Sequence, residues 1–195
     1  MMRVLVACEY SGTVRDAFIK LGHEAMSCDL LDTDQPGPHY KGSVLDVIND
    51  GWDLMIAHPP CTHLAVSGAR HFAEKRASGV QQEALQFVRL LLDAPIERIA
   101  LENPVSIISS QIRKPDQIIQ PWMFGHRESK KTCLWLKNLP NLVATNILDK
   151  TGASWDNTTA SGQNKLAPSP DRWKIRSKTY QGIADAMAEQ WGKIF

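Results

Sequence analysis

The sequence predicts an α/β protein built on a doubly wound, mostly parallel sheet with helices on both faces. Three observations predict it. Short apolar runs alternate with segments of helical period along most of the 195 residues. The runs are rich in β-branched residues and stop at turn residues, as buried strands do. The chemically distinctive residues Glu9, Ser11, Gly12, Asp29, Cys61 and Glu102 all stand at the C-terminal ends of such runs. Open α/β sheets bind their ligands there.

Taken in order, "RVLVACE" (residues 3–9) reads as a strand that ends at the turn "YSG". "TVRDAFIKLGH" then puts Val14, Phe18 and Leu21 on one helical face, with Gly22 as its C-cap. "EAMSCDL" is a second strand ending at Asp29, and "DTDQPGPHYKG" has the composition of a loop. "WDLMIAHPP" is a buried strand, and "GVQQEALQFVRLLLDA" is the clearest helix in the chain. "IERIALENP" is a strand leading to Glu102, Asn103 and Pro104, and "KKTCLWLKNLP" is a further strand. Residues from about 148 to 172 are polar and read as loop or a poorly formed insert, and "YQGIADAMAEQWGKIF" closes the chain as an amphipathic helix.

Composition narrows the function classes. The formal net charge of +1 gives no global basic footprint for tight non-specific nucleic-acid binding, although a local groove remains open. The N-terminal apolar run is too short for a signal peptide, and no stretch reaches membrane-spanning length, so a cytoplasmic protein is expected. The four cysteines, Cys8, Cys28, Cys61 and Cys133, form no Cys-x-x-Cys pair. They read as reduced thiols, at least three of them small buried hydrophobes.

The strand ends carry the chemistry. A tight turn with Gly12 opening a helix offers backbone N–H groups to a carboxylate, although glycine there also serves packing alone. Asp29 suits the two hydroxyls of a ribose, and a turn cap is the plainer role. Together they suggest an adenosine-containing ligand. The further glycines of a dinucleotide fingerprint are missing, which disfavours NAD.

Pro59 and Pro60 stiffen the backbone ahead of Cys61, which suits a group that must be aimed. A thiol with a pKa of about 8.5 needs help to become a nucleophile, and the local candidates are His58, His63 and the N–H groups of the following turn. A structural cysteine is the alternative. Glu102, at the end of the next strand, is the carboxyl that activation of a pyrimidine requires: thiolate attacks C6 while the acid hydrogen-bonds N3, and C5 becomes the nucleophile.

"VACEYSG", "SCDL", "HPPCT…SG" and "ENP" occur in the order and spacing of the S-adenosylmethionine-dependent C5-cytosine DNA methyltransferases. The chain resembles especially the short forms carried by bacteriophages and prophages, over residues 3 to about 137 and more loosely in the last helix. The resemblance implies a class I methyltransferase sheet, S-adenosyl-L-methionine as cofactor, cytosine in DNA as substrate, and the cytoplasm of a bacterial host.

Carried over, Glu9, Tyr10, Ser11 and Gly12 surround the methionine end of the cofactor, Asp29 holds its ribose and Leu30 lies against the adenine. Ser43 stands where the family often has an Asp that reads the adenine amine, and Asp46 is the substitute. Pro59 belongs to the cofactor side. Pro60 lines the target pocket, Cys61 is the nucleophile, Thr62 and Ser67 follow along the catalytic loop, Glu102 binds N3 and N4, and Asn103 braces that turn. Lys131 is the candidate for the family's Arg-x-Arg pair, with Arg127 and Lys130 behind it. Thr179 and Tyr180 are candidates for the segment that returns to the cofactor.

The sequence departs from the family in its single glycine, in Thr62 and Pro104, and above all in the interval before the last helix. The expected organisation is a catalytic core over 1–140, a rudimentary insert over 141–176 in place of a target-recognition domain, and a helix over 177–195 packing back on the core. In the insert, Lys165, Arg172, Lys174 and Arg176 are candidate phosphate contacts or plain solvated charges. So short an insert leaves a role for a partner protein that supplies target recognition.

Other readings stay open. The same chemistry on a free cytosine nucleotide needs no recognition domain, and an inactive cofactor- or nucleic-acid-binding protein needs neither Cys61 nor Glu102. An amino methyltransferase also has a proline pair here, but followed by an aromatic residue rather than Cys61. A metal site of His58, Cys61, His63 and His71 fits no familiar spacing, and no metal is implied.

Overall fold

A computed structural model describes residues 1–149 and 154–193. Seven strands form one sheet: β1 (Arg3–Ala7), β2 (Glu24–Asp29), β3 (His39–Lys41), β4 (Leu54–Ala57), β5 (Arg98–Pro104), β6 (Gln117–Ile119) and β7 (Thr132–Lys137). Their order across the sheet is β3-β2-β1-β4-β5-β7-β6. β3, β2, β1, β4 and β5 are mutually parallel, and β7 runs antiparallel between β5 and β6. The strand order reverses between β1 and β4, so their C-terminal ends open a crevice at the switch point.

The helices are α1 (Thr13–Lys20), α2 (Phe72–Ala77), α3 (Val80–Leu92), α4 (Ile108–Gln111), α5 (Arg172–Ser177) and α6 (Gln181–Trp191). They bury two apolar layers. On one face α1 and α6 bring Val14, Phe18, Ile183, Met187 and Trp191 onto Val4, Val6, Leu54 and Ile56. On the other, α3 brings Leu85, Val88 and Leu91 onto Leu5, Met55, Ile99 and Leu101. The strand residues alternate between these layers as the pleat requires. Each fully buried aliphatic side chain contributes about 1.5–3 kcal/mol. Trp191, wholly buried, donates its indole N–H to the Pro140 carbonyl at 2.9 Å, which fastens the last helix to the core.

The α/β expectation holds, with two additions. β3 lies inside the stretch expected to be loop, and β6 was not expected at all. Both are three residues long and sit at the sheet edges, too short for period-two alternation to show. Of the expected insert, residues 150–153 lie outside the described residues. Its tail forms α5. No helix is long and apolar enough to cross a membrane among the described residues.

Candidate active site

The parallel register of β4 and β5 sets the centre of the site. Ala57 pairs with Leu101. One step further, His58 meets Glu102; a second step on, Pro59 meets Asn103. His58 Nδ1 lies 2.8 Å from Glu102 Oε2, and the Asn103 amide donates to the Pro59 carbonyl at 2.8 Å. Pro59 and Pro60 have no N–H to give to β5, so the Asn103 amide, bonded to the Pro59 carbonyl, is what ties the proline pair to that strand.

Beyond the clamp, Pro60 and Cys61 are exposed at the strand end. The Cys61 carbonyl accepts from Leu64 and Ala65 N–H at 3.0 and 2.9 Å, closing a turn. Three side-chain and backbone ties hold that loop. Gln81, buried at the start of α3, donates to the His63 carbonyl at 3.1 Å, and Lys75 donates to the Thr62 carbonyl at 2.5 Å. Val66 N–H reaches the Val105 carbonyl at 3.0 Å. Thr62 and Ser67 are both exposed, and Ser67 lies in a 3-10 turn over Val66–His71.

Glu102 and His58 are each only 10% exposed in their side chains. Burial works against the Glu102 carboxylate. The hydrogen bond from His58 and the charges of Lys130 and His58 together outweigh it, and the carboxyl is held below its ordinary value. Glu102 is therefore ionised at neutral pH. Cys61 reaches the surface, but the protein around it removes part of the water its thiolate would need and so pushes the thiol up, and the Glu102 charge adds to this. Lys130, its own backbone and Arg176 oppose the rise without cancelling it. His58 was expected among the groups that assist Cys61. Its Nδ1 is bonded to Glu102, because the β4–β5 register brings the two side chains together.

Lys130 replaces Lys131 as the cation of the site. Glu102 pairs with Leu134 across β5 and β7, and Thr132 and Lys130 share that face by the period of two. Lys131 is exposed on the other parity, and Arg127 is drawn to Asp156 at 3.8 Å. Glu102, Lys130, Thr132, Thr179, Tyr180 and Ile183 line a narrow hollow, which places Thr179 and Tyr180 beside Glu102. The Tyr180 hydroxyl donates to Glu128, and burial followed by that carboxylate pushes the phenol far up.

The cofactor side holds one correction. The first N–H groups of α1 are not free. Val14 and Arg15 N–H donate to Glu9 at 2.8 and 3.3 Å, Thr13 N–H to Ser11 Oγ at 3.3 Å, and Asp16 N–H to the Gly12 carbonyl at 2.9 Å. Glu9 is thus the cap of its own helix, reached through a left-handed turn at Cys8 (φ 58°). The N–H groups of Tyr10, Ser11 and Gly12 find no protein acceptor among the described residues. Three successive backbone donors of this kind suit a carboxylate. At the end of β2, one Asp29 oxygen accepts from Leu31 N–H at 3.0 Å, and the other has no protein partner among the described residues. Donors for a carboxylate and an acceptor for a ribose therefore both stand on the crevice, which fits the expected cofactor.

Leu30 is 73% exposed beside Asp29. Ser43 caps the 3-10 turn Val44–Asp46, accepting from Leu45 N–H at 3.3 Å, and Asp46 accepts from the Tyr40 hydroxyl at 3.1 Å. Among the described residues no three His, Cys, Asp or Glu side chains are grouped to hold a metal ion.

Arg15 carries no sequence signal. Arg15 is wholly buried, donates to Ser27 and Thr33 and to the carbonyls of Gln35 and Pro36, and fills the space a side chain at Gly12 or Gly37 would need. Tyr10 donates to the Lys174 carbonyl at 2.6 Å and ties the cofactor turn to α5. Four buried side-chain atoms lack any partner among the described residues: His58 Nε2, His63 Nδ1, Asn103 Oδ1 and Ser106 Oγ. All lie on the segments that follow β4 and end β5. Buried polar atoms left open in one place mark where a polar ligand or water completes the bonding.

No family model matches the chain, and no curated protein matches it. Solved structures do. The Entamoeba histolytica methyltransferase EhMeth matches with a TM-score of 0.51 at 16% identity, over 77% of this chain and 58% of that one. An E. coli protein described as a DNA modification methyltransferase encoded within a prophage matches with a TM-score of 0.45 at 15% identity, over 70% of this chain and 46% of that one. The chain spans about half the length of these proteins. It has the α/β fold of a methyltransferase.

Proposed function

We propose that the protein transfers a methyl group from S-adenosyl-L-methionine to C5 of cytosine in DNA, through a covalent bond between Cys61 and C6 of the base. One observation carries this reading: an exposed thiol and a buried, ionised carboxylate stand at the ends of adjacent strands β4 and β5, fixed to each other by the Asn103–Pro59 bond.

Cys61 is the nucleophile. Its raised pKa means that the thiolate forms as the base docks, with the Lys130 and Arg176 charges favouring it. Glu102 accepts a hydrogen bond from the N4 amino group and relays the proton given up by the Cys61 thiol to N3, so the charge that enters the ring with the S–C6 bond is neutralised there. His58 fixes which Glu102 oxygen is left for the base, since the other is taken by Nδ1. The open polar atoms of Asn103 and Ser106 lie on the same rim. The backbone donors of Tyr10, Ser11 and Gly12 hold the cofactor carboxylate, Asp29 holds its ribose and Pro59 closes that side. The cofactor, when bound, supplies an electrophilic methyl group. Water then takes the C5 proton, the N3 proton returns through Glu102, and the Cys61–C6 bond breaks, which releases Cys61 and restores the aromatic ring. Residues 141–176 serve as the reduced insert of the catalytic core.

The test is mass spectrometry of nucleosides from host DNA after expression of the wild type or Cys61→Ser. The expected result is 5-methylcytosine above an empty-vector control, abolished by the substitution. Soluble, cofactor-binding wild-type protein that leaves no methylated base contradicts the proposal.

A further inference from the structure

The segment from Arg172 to Lys178 is held over the site by its backbone. The Lys174 carbonyl accepts from the Tyr10 hydroxyl at 2.6 Å, and the Arg176 carbonyl accepts from Lys130 Nζ at 2.9 Å. Lys178, paired with Asp34 at 2.6 Å, ties down its end. Ser177 Oγ meets the Tyr10 hydroxyl at 3.2 Å and Trp173 lies 6.4 Å from the Tyr10 ring, while Lys174 and Arg176 are exposed and Arg172 is half-buried. Arg172, Lys174 and Arg176 form no ion pair among the described residues, and no acidic residue occurs from Arg172 to Ala184. Trp173 is 54% exposed, flanked by these cations, with Lys174 Nζ 5.7 Å from its ring centroid.

The same rim carries the nucleophile. Lys130, which holds the Arg176 carbonyl, lines the same hollow as Glu102, and the loop that follows Cys61 is held by Lys75, with Arg70 and Arg76 exposed. A chain of net charge +1 therefore concentrates positive charge in two segments flanking Cys61. That distribution matches a polyanion crossing the mouth of the site. An exposed indole between cations is a platform for an unstacked base, and base–aromatic stacking tolerates any sequence.

We infer that α5 is a contact element for single-stranded DNA, in which Arg172, Lys174 and Arg176 pair with phosphates while Trp173 stacks on a base neighbouring the one presented to Cys61. The inference rests on the reading of Cys61 as a nucleophile toward DNA. A strand that is already unpaired needs no energy for base flipping and no module that grips both strands of a duplex. The short insert supplies neither.

The experiment is fluorescence anisotropy of a labelled cytosine-containing oligonucleotide, single-stranded and as its duplex, titrated with the full chain across a range of salt. The single strand should bind more tightly than the duplex. Trp173→Ala should weaken it by about five-fold or more, with Trp173→Phe restoring most of the loss. Replacing Arg172, Lys174 and Arg176 together by glutamine should make the salt slope shallower by about 2, at about 0.7 for each phosphate contact on a single strand. Equal or tighter binding of the duplex overturns the inference, as does affinity unmoved by Trp173→Ala. Binding is read without turnover, so a protein that binds single strands through α5 yet methylates nothing contradicts the proposed reaction and leaves this contact standing.

Discussion

Replacing His58 by leucine removes the hydrogen-bond donor that keeps Glu102 charged in a site only 10% exposed. In the wild type the folded pKa of Glu102 is depressed, so its stabilising effect is present above the unfolded carboxyl value and fades as pH falls toward the folded one. In His58→Leu, burial is opposed by the Lys130 charge alone, and the folded pKa moves above the unfolded value of about 4.3. The group then destabilises the fold increasingly as pH rises through its new pKa. A hydrogen bond to a buried charge is worth about 1.5–3 kcal/mol, and stranding such a charge costs about 3–5 kcal/mol. With Lys130 still beside Glu102, a loss of about 2–3 kcal/mol at neutral pH is expected, shrinking to about 1 kcal/mol near pH 5. Urea denaturation at the two pH values reads this directly, and His58→Asn, which keeps a donor near the Nδ1 position, should lose about half as much. A penalty below about 1 kcal/mol at neutral pH, or one that does not change with pH, refutes the proposed coupling between His58 and Glu102.

Two further outcomes follow from the same geometry. Asn103→Ala removes the tie to the Pro59 carbonyl and should cost about 1–2 kcal/mol by urea denaturation, with a larger fractional loss in methylation than in cofactor affinity, because the clamp aims the Cys61 loop. Alkylation by iodoacetamide, mapped by peptide mass spectrometry, should modify Cys61 first. Its rate should rise with pH past the ordinary thiol range, because partial loss of water and the Glu102 charge hold the thiol up. Cys8, pushed up to about 12 by burial and then by Asp29 and Cys28, should stay unmodified in the folded protein, as should buried Cys28 and Cys133.

Much of this arrangement is legible in the sequence because buried parallel strands advertise themselves as apolar runs, and α/β topology says that their C-terminal ends matter. Cys61, Glu102 and Asp29 could be chosen on that ground. What the residues do for one another could not. His58 and Glu102 are 44 positions apart, and their pairing exists only once Ala57 is set beside Leu101. That Lys130 rather than Lys131 faces Glu102 follows from strand parity continued past β7, and that parity is set only by the Glu102–Leu134 pairing of the folded sheet. Glu9 was placed against the cofactor, but a helix start leaves N–H groups that take the nearest acceptor, and Glu9 is it. Arg15 gave no sign of burial, since a charged residue on an amphipathic helix ordinarily faces water.

The measurement that bears most directly on the proposed chemistry is the intact mass of the protein after incubation with S-adenosyl-L-methionine and an oligonucleotide carrying 5-fluorocytosine. Fluorine at C5 cannot leave as the proton does, so attack by Cys61 ends in a bond that persists. A covalent protein–DNA species, mapped to Cys61 and missing from Cys61→Ser, is the predicted result. Wild-type protein that binds both cofactor and oligonucleotide and yet shows only its own mass contradicts nucleophilic attack by Cys61.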